Sequence, residues 1–301
     1  MSSLNPSNLK KIVILGHSGF IGASLFRRLS KKIDPEVLGF SSSLLDLSSD
    51  QSVQALASHC DKDTALFFLS AITRDRKNDP IAESKNLKMV SHVIEAVQKN
   101  GCRHLVFASS IDVYGHVTEE QLIDEKTPLK PDSSYASYKV NAEELLVKSI
   151  ADFPLTILRW GGIYGPQDTH PSPIRIFISS ILAGKEIPVY GEGKALRDYV
   201  FIDDLCRTLE ETVLNRVTGT INVVSGRSVS IENILARLEN ILHKKARIRF
   251  TESRGAISSY RFDPVLFKKK FPEIELRDIQ TGLEEMCRYY ASTGRAELLT
   301  A

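Results

Sequence analysis

Lys10-Lys11-Ile12-Val13-Ile14-Leu15-Gly16-His17-Ser18-Gly19-Phe20-Ile21-Gly22 is the stretch that decides the fold. Its first half is short, apolar and β-branched, the composition of a parallel strand buried on both faces. It runs straight into a G-x-x-G-x-x-G turn, and a helical stretch follows through Ala23-Ser24-Leu25-Phe26-Arg27-Arg28-Leu29. Glycines allow the tight turn and let backbone N–H groups approach a pyrophosphate held at a helix N-terminus. Such spacing alone is common. In the order strand, turn, helix it points to a dinucleotide contacted by Gly16, Ser18, Gly19, Phe20, Ile21 and Gly22.

Working outward, strand-like runs recur at 37–40, 65–69, 104–108, 155–159 and 220–224, with helical patterns at 51–58, 83–99, 135–151 and 203–215. This alternation predicts an α/β fold, a doubly wound parallel Rossmann sheet with ligands at the carboxyl ends of its strands. From Pro166 the pattern loosens, with Pro171, Pro173 and Pro188 and Gly184, Gly191 and Gly193. The expected division is a dinucleotide-binding domain over 8–165, with 198–225 returning to it, and a smaller C-terminal substrate-binding lobe over 166–197 and 226–301. Lys268-Lys269-Lys270 reads as a solvated helix end.

The second strand should end in an acid for the adenosine ribose of NAD, but Phe40 is followed by Ser41-Ser42-Ser43, with no arginine to clamp a 2′-phosphate. NAD and NADP both stay open. Asp46, before Leu47, reads equally as an acceptor for an adenine amino group or as the cap before Ser48-Ser49-Asp50. Ser70 and Ala71, just past the third strand, join the expected cofactor contacts.

The 301 residues are 42% hydrophobic and 25% charged with a net charge of +2, an ordinary globular composition that points to neither nucleic acid nor an anionic membrane. Cys60, Cys102, Cys206 and Cys287 lie far apart, so the chain supports neither a metal site nor a disulfide framework. With no leader pattern and no apolar run near 18 residues, the expectation is a cytoplasmic protein.

Chemistry enters at Tyr135-Ala136-Ser137-Tyr138-Lys139. The spacing places Tyr135 and Lys139 on one helical face, where an ammonium makes a phenol usable as an acid/base near neutrality. Upstream, Ser109-Ser110 closes the fourth strand; the pair reads either as a simple turn or, facing a cofactor crevice, as a serine hydroxyl able to bridge a substrate oxygen and the Tyr135 phenol.

From about residue 10 to 290 the chain resembles the extended short-chain dehydrogenase/reductase family, in its nucleotide-sugar epimerase/dehydratase branch. The likeness rests on GHSGFIG, on Asn86 opening NLKMVSHVIEA, on SSIDVYG, YASYK and LRWGGIYGP, and on GEGKALRDYVFIDDL at 191–205. The resemblance implies Tyr135 as general acid/base, with Lys139 on the nicotinamide ribose and Ser110 orienting the sugar hydroxyl. It implies that Asn86 steadies a strand-end loop, that Arg197 holds the substrate diphosphate with Arg254 as a second contact, and that a homodimer forms through helices near 83–99 and 137–151. The implied reaction passes through a 4-keto sugar.

Departures bear on the reaction. Gly162 stands where the family usually has Asn at a substrate contact, Phe201 where it often has His, and Ile111 where 4,6-dehydratases have the Asp of an Asp-Glu pair. Asp112 takes the position of the dehydratase glutamate, as a base or as a turn cap. A 4-epimerase is the leading expectation, a 4,6-dehydratase or 4-keto reductase the alternative, and an inactive dinucleotide-binding regulator the rival of another class. His17 reads as a loop residue near the pyrophosphate and Trp160 as packing.

Overall fold

In a computed structural model the described residues are 9–32, 34–73, 79–117, 121–168, 172–252 and 257–293. The chain runs through β1 (Lys11–Leu15), α1 (Phe20–Lys32), β2 (Glu36–Phe40), α2 (Ser52–Ala57), β3 (Thr64–Phe68), α3 (Pro80–Asn100), β4 (His104–Ala108), a 3-10 turn (Ile111–Tyr114), β5 (Leu122–Ile123), α4 (Ser134–Ser149), β6 (Leu155–Trp160) and β7 (Gly162–Tyr164). It continues with α5 (Pro173–Ala183), β8 (Glu186–Tyr190), β9 (Leu196–Arg197), β10 (Tyr199–Phe201), α6 (Ile202–Leu214), β11 (Gly219–Val223), β12 (Val229–Ser230), α7 (Ile231–Leu242), β13 (Arg247–Thr251), β14 (Arg261–Phe262), α8 (Val265–Lys270) and α9 (Ile279–Thr293).

Local chemistry sets the helix ends. Asp79 caps α3 by accepting from the Ala82 N–H at 2.8 Å, with Pro80 in the first turn where its missing N–H costs nothing. Ser133 caps α4 in the same way from Ala136, so the Tyr135–Lys139 pair lies in that helix's first turns.

The first compact unit, 1–115 with 128–160 and 206–222, holds a six-stranded sheet of order β11-β6-β4-β3-β1-β2. The pairings from β2 through β1, β3 and β4 to β6 are parallel. The chain leaves β1 for β2 on one side and returns to β3 on the other, so β1 and β3 flank the switch point where doubly wound sheets bind ligands. Register matters most: Leu15 pairs with both Phe40 and Phe68, Phe68 with Phe107, and Ala108 with Leu158. One edge therefore carries Gly16, Ser41, Ser70, Ser109 and Arg159 together. Beneath it the central strands β3 and β4 are wholly buried and mostly apolar, as strands covered on both faces require.

In the second unit, 116–127 with 161–205 and 223–301, the strands among the described residues pair two by two: β7 with β10, β9 with β12, β8 with β13 and β5 with β14. This differs from the expected division. Residues 116–127, 161–165, 198–205 and 223–225 belong to the second unit, because β7 bonds to β10 and β5 to β14, binding these short strands to each other instead of to the large sheet. The lysines at 268–270 end α8.

Candidate active site

The glycine turn is built by close approach. Gly16 has φ +91°, and a Cβ there would lie 3.0 Å from the Ser70 amide nitrogen across the switch point. A Cβ on Gly22 would lie 2.2 Å from the Gly16 carbonyl oxygen, so helix and turn meet this closely only because Gly22 lacks a side chain. The Gly16 N–H donates to the Phe40 carbonyl at 2.8 Å and the Gly19 N–H to the Gly16 carbonyl at 3.1 Å. Beyond them α1 opens with no acidic residue in its first turn. Its first N–H groups have no partner within the helix, and their dipoles favour an anion. Tight, carboxylate-free and facing a helix N-terminus, the cradle of Gly16, Ser18, Gly19, Phe20, Ile21 and Gly22 fits a dinucleotide's phosphates.

His17 turns away from that cradle: a Cβ on Gly39 would come 2.6 Å from its ring, and its ring centroid lies 5.8 Å from that of Phe26. It packs α1 onto β2. Ser41 bonds Ser43 at 2.7 Å, while Ser42 is exposed. Asp46 accepts from both the Ser48 N–H, at 3.0 Å, and the Ser48 hydroxyl, at 2.7 Å, and these bonds hold its carboxyl below the usual range. That is the capping geometry, with the second carboxylate oxygen at an exposed position; Leu47 beside it is buried. Asn86 clasps the loop after β3, accepting from the Ile72 N–H at 2.8 Å and donating to its carbonyl at 3.0 Å, next to Ser70 and Ala71.

The end of β4 is followed by Ser110 and receives Lys139 from α4. Ser110 caps the 3-10 turn by accepting from the Asp112 N–H at 3.1 Å, which leaves its hydroxyl proton to donate elsewhere. Lys139 is 2% exposed, and its ammonium lies 5.5 Å from the Tyr135 ring centroid and 4.8 Å from those of Tyr138 and Phe107. It donates to the Ala108 carbonyl. Burial pushes its pKa down from 10.5 to about 7, opposed by the charges of Glu143 and Asp112. Tyr135 is half-buried, whereas Tyr138 is sealed in and burial raises its phenol far above the usual value. Tyr138 is a wall of the lysine's aromatic box.

Next to Lys139 on α4 stands a buried network built from residues outside the glycine and Tyr-Lys motifs. The buried carboxylate of Glu143 accepts from Arg159 Nε at 3.0 Å and Nη2 at 2.5 Å, and from the Ser109 hydroxyl. Arg159 Nη1 donates to the Tyr114 hydroxyl at 3.0 Å, which donates to Asn222 at 2.8 Å. Burial alone would lower the Arg159 pKa, but Glu143 more than reverses this. One signal was present in the chain: Arg159 is the only charged residue in the apolar strand LTILRW, and a charge inside such a run needs a buried partner.

In the second unit, Arg197 donates to the carbonyls of Leu196, at 2.8 Å, and Ser258, with its guanidinium 5.3 Å from the Tyr260 ring centroid. Arg254 lies outside the described residues. A Cβ on Gly162 would fall 2.7 Å from the Tyr199 ring, so that ring takes the space of the absent side chain. Phe201 is buried core beneath the Arg277 guanidinium. A cavity of about 180 Å³ in this unit is lined by Tyr199, Arg227, Arg237, Arg277 and neighbours, none of them a motif residue singled out for chemistry. Those guanidiniums bond to Leu276, Gln280 and Glu285, and the candidate site is placed at the glycine turn and the strand ends, where the motif residues lie.

A model described as the NAD dependent epimerase/dehydratase family matches residues 12–223. The chain is 26% identical to a protein called uncharacterized UDP-glucose epimerase YtcB from Bacillus subtilis, over 95% of this chain and all of that one. It is 28% identical to a dTDP-glucose 4,6-dehydratase of Neisseria gonorrhoeae, over 60% of this chain and 58% of that one. In three dimensions it is similar to the Thermus thermophilus UDP-glucose 4-epimerase solved with NAD, with a TM-score of 0.83, 21% identity, and 94% of this chain and 99% of that one covered. At that identity the likeness carries the fold.

Proposed function

The chain belongs to the NAD dependent epimerase/dehydratase family, and from that premise we propose that it is an NAD-dependent nucleotide-sugar 4-epimerase working through a transient 4-keto sugar. What supports the reading is Tyr135 and Lys139 in the first turns of α4, with the Lys139 ammonium 5.5 Å from the Tyr135 ring centroid and bonded to the last carbonyl of β4, two residues before Ser110. NAD is favoured over NADP because Ser41-Ser42-Ser43 brings no cation to a 2′-phosphate, and because the similar Thermus structure holds NAD.

When bound on the glycine cradle, the dinucleotide supplies the hydride acceptor and donor for the sugar carbon. The chain's own residues handle protons and position. Tyr135, as phenolate, takes the proton of the sugar 4-hydroxyl, and Ser110 donates a hydrogen bond to the same oxygen, holding it as charge develops. Lys139 favours the phenolate by its charge and holds the strand end through the Ala108 carbonyl. Arg197 is the proposed diphosphate contact, a planar guanidinium suited to two oxygens at once. Tyr135 then returns the proton to the oxygen of the epimerised carbon.

Asp112 separates this reading from the 4,6-dehydratase. A dehydratase needs a base beside the 4-keto group, and Asp112 is the carboxylate in the cap turn of Ser110. The test is turnover of UDP-, GDP-, CDP- and dTDP-sugars by the wild type, Tyr135→Phe and Asp112→Asn. Tyr135→Phe should lose about 10²–10⁴-fold in kcat. Asp112→Asn should keep interconverting C4 epimers. Loss of water with Asp112 essential would replace the epimerase with the dehydratase, and no hydride transfer on any sugar would leave the dinucleotide-binding regulator. On the family resemblance we also infer a homodimer through α3 and α4, with Val147, 55% exposed on α4, as a surface to test.

A further inference from the structure

The geometry points to Glu143 and Arg159 as a buried positioning pair that controls how much positive charge Lys139 presents to Tyr135, while fixing the strand end that carries Ser110. The inference rests on Tyr135 acting as the acid/base and extends it to residues that touch neither substrate nor dinucleotide.

Glu143 follows Lys139 by four residues on α4, so both side chains rise on one face of the helix. Its carboxylate, 5% exposed, also holds the hydroxyl of Ser109, the residue before Ser110, while Lys139 holds the carbonyl of Ala108. Two successive residues of the strand end are thus tied to one helix by two opposite charges. The groups facing Lys139 can be named from each packed element: Tyr135, Tyr138 and Glu143 from α4, the Phe107 ring and Ala108 carbonyl from β4, and Asp112 from the 3-10 turn. Asp112 and Glu143 are the two carboxylates among them.

Burial among three aromatic rings works against the ammonium, and a negative charge is what keeps it protonated near neutrality. Glu143 can remain charged there because the Arg159 fork neutralises it, and Arg159 is oriented in turn by the Tyr114 hydroxyl and Asn222. A lone buried carboxylate would protonate or destabilise the fold. Arg159 therefore moderates the field that Glu143 exerts on Lys139, and the pair sets it together.

The test is the titration midpoint of Lys139, followed by NMR of ε-¹³C-lysine in the full chain and assigned with Lys139→Met, in the wild type, Glu143→Gln and the double variant Glu143→Gln/Arg159→Met. The double variant leaves no lone buried charge, so it stands in if Glu143→Gln alone fails to fold. Expected is an ordered series, with the midpoint highest in the wild type, lower in the double variant, and lowest in Glu143→Gln, where Arg159 is left unbalanced. The wild type and Glu143→Gln should differ by about one pH unit, tenfold in proton affinity. The high-pH limb of kcat should move in the same order. A midpoint that stays put in the folded variants, or one that rises, overturns the inference. Because the NMR midpoint needs no turnover, absence of activity on every nucleotide sugar sinks the proposed function and leaves this result readable.

Discussion

Lys139 is held at a cost to the fold. Its pKa lies at about 7 in the folded chain because burial disfavours the ammonium, against 10.5 for the ordinary group. Between those values the unfolded chain binds the extra proton, so this residue's contribution makes stability rise with pH from about 7 to 10.5 and fall as pH drops through 7. Lys139→Met keeps the length and drops the charge. It should abolish turnover and raise Tm by about 2–4 °C at pH 6–7, with the gain shrinking toward pH 10. A Tm that falls equally at both pH values would show that the bond to the Ala108 carbonyl outweighs the burial of the charge. At this scale Tyr135, Lys139 and Ser110 were legible from motif spacing, whereas Glu143 and Ser109 were not. Nothing in the order of residues says that a helix carboxylate reaches a serine 34 positions earlier.

At the scale of elements, the strand runs and helical patterns marked out the sheet closely, because burial on both faces forces a continuous apolar run and a covering helix forces a 3.6-residue stripe. The short strands behave differently. β5, β7, β9, β10, β12 and β14 are two or three residues long, too short for a period to register, and their pairing decides which unit 116–127 and 161–165 join. Gly162 on β7 shows what such pairing enforces. Opposite Tyr199, it has no room for a side chain. Gly162→Asn, which restores the usual family residue, should therefore cost about 1–3 kcal/mol through displacement of the Tyr199 ring, read as a lower urea midpoint. An unchanged midpoint together with tighter substrate binding would show that the ring yields easily.

At the scale of the whole molecule, one buried histidine bears on acid stability. His104 is fully buried on β4, with Nε2 2.7 Å from the Thr156 hydroxyl, which itself donates to the Val217 carbonyl, and with Nδ1 lacking a partner among the described residues. A proton on Nδ1 would be a charge without a bond in a dry core. Burial first, then Arg216 and Arg103, hold the His104 pKa down at about 4. The unfolded chain takes the proton near 6.5, so stability is lost as pH falls from about 6.5 through 4, up to about 3 kcal/mol. His104→Gln should flatten that acid limb in urea unfolding at pH 4–7; an identical slope in the variant would place the acid sensitivity elsewhere. For the assembly, light scattering should give twice the 33.6 kDa chain mass, and Leu145→Glu with Val147→Glu should return it to one chain. A monomeric wild type would end the dimer reading. By itself the sequence determined the doubly wound sheet, the glycine turn after its first strand and the placing of Tyr135 and Lys139 on one helix face, because each is written in local periodicity and short spacings. Only the tertiary structure decided that Glu143 and Arg159 stand behind Lys139, that Tyr199 fills the place of a side chain at Gly162, and where the two units part. These depend on which distant residues the strand register brings to one edge, and register is settled by packing across the whole sheet.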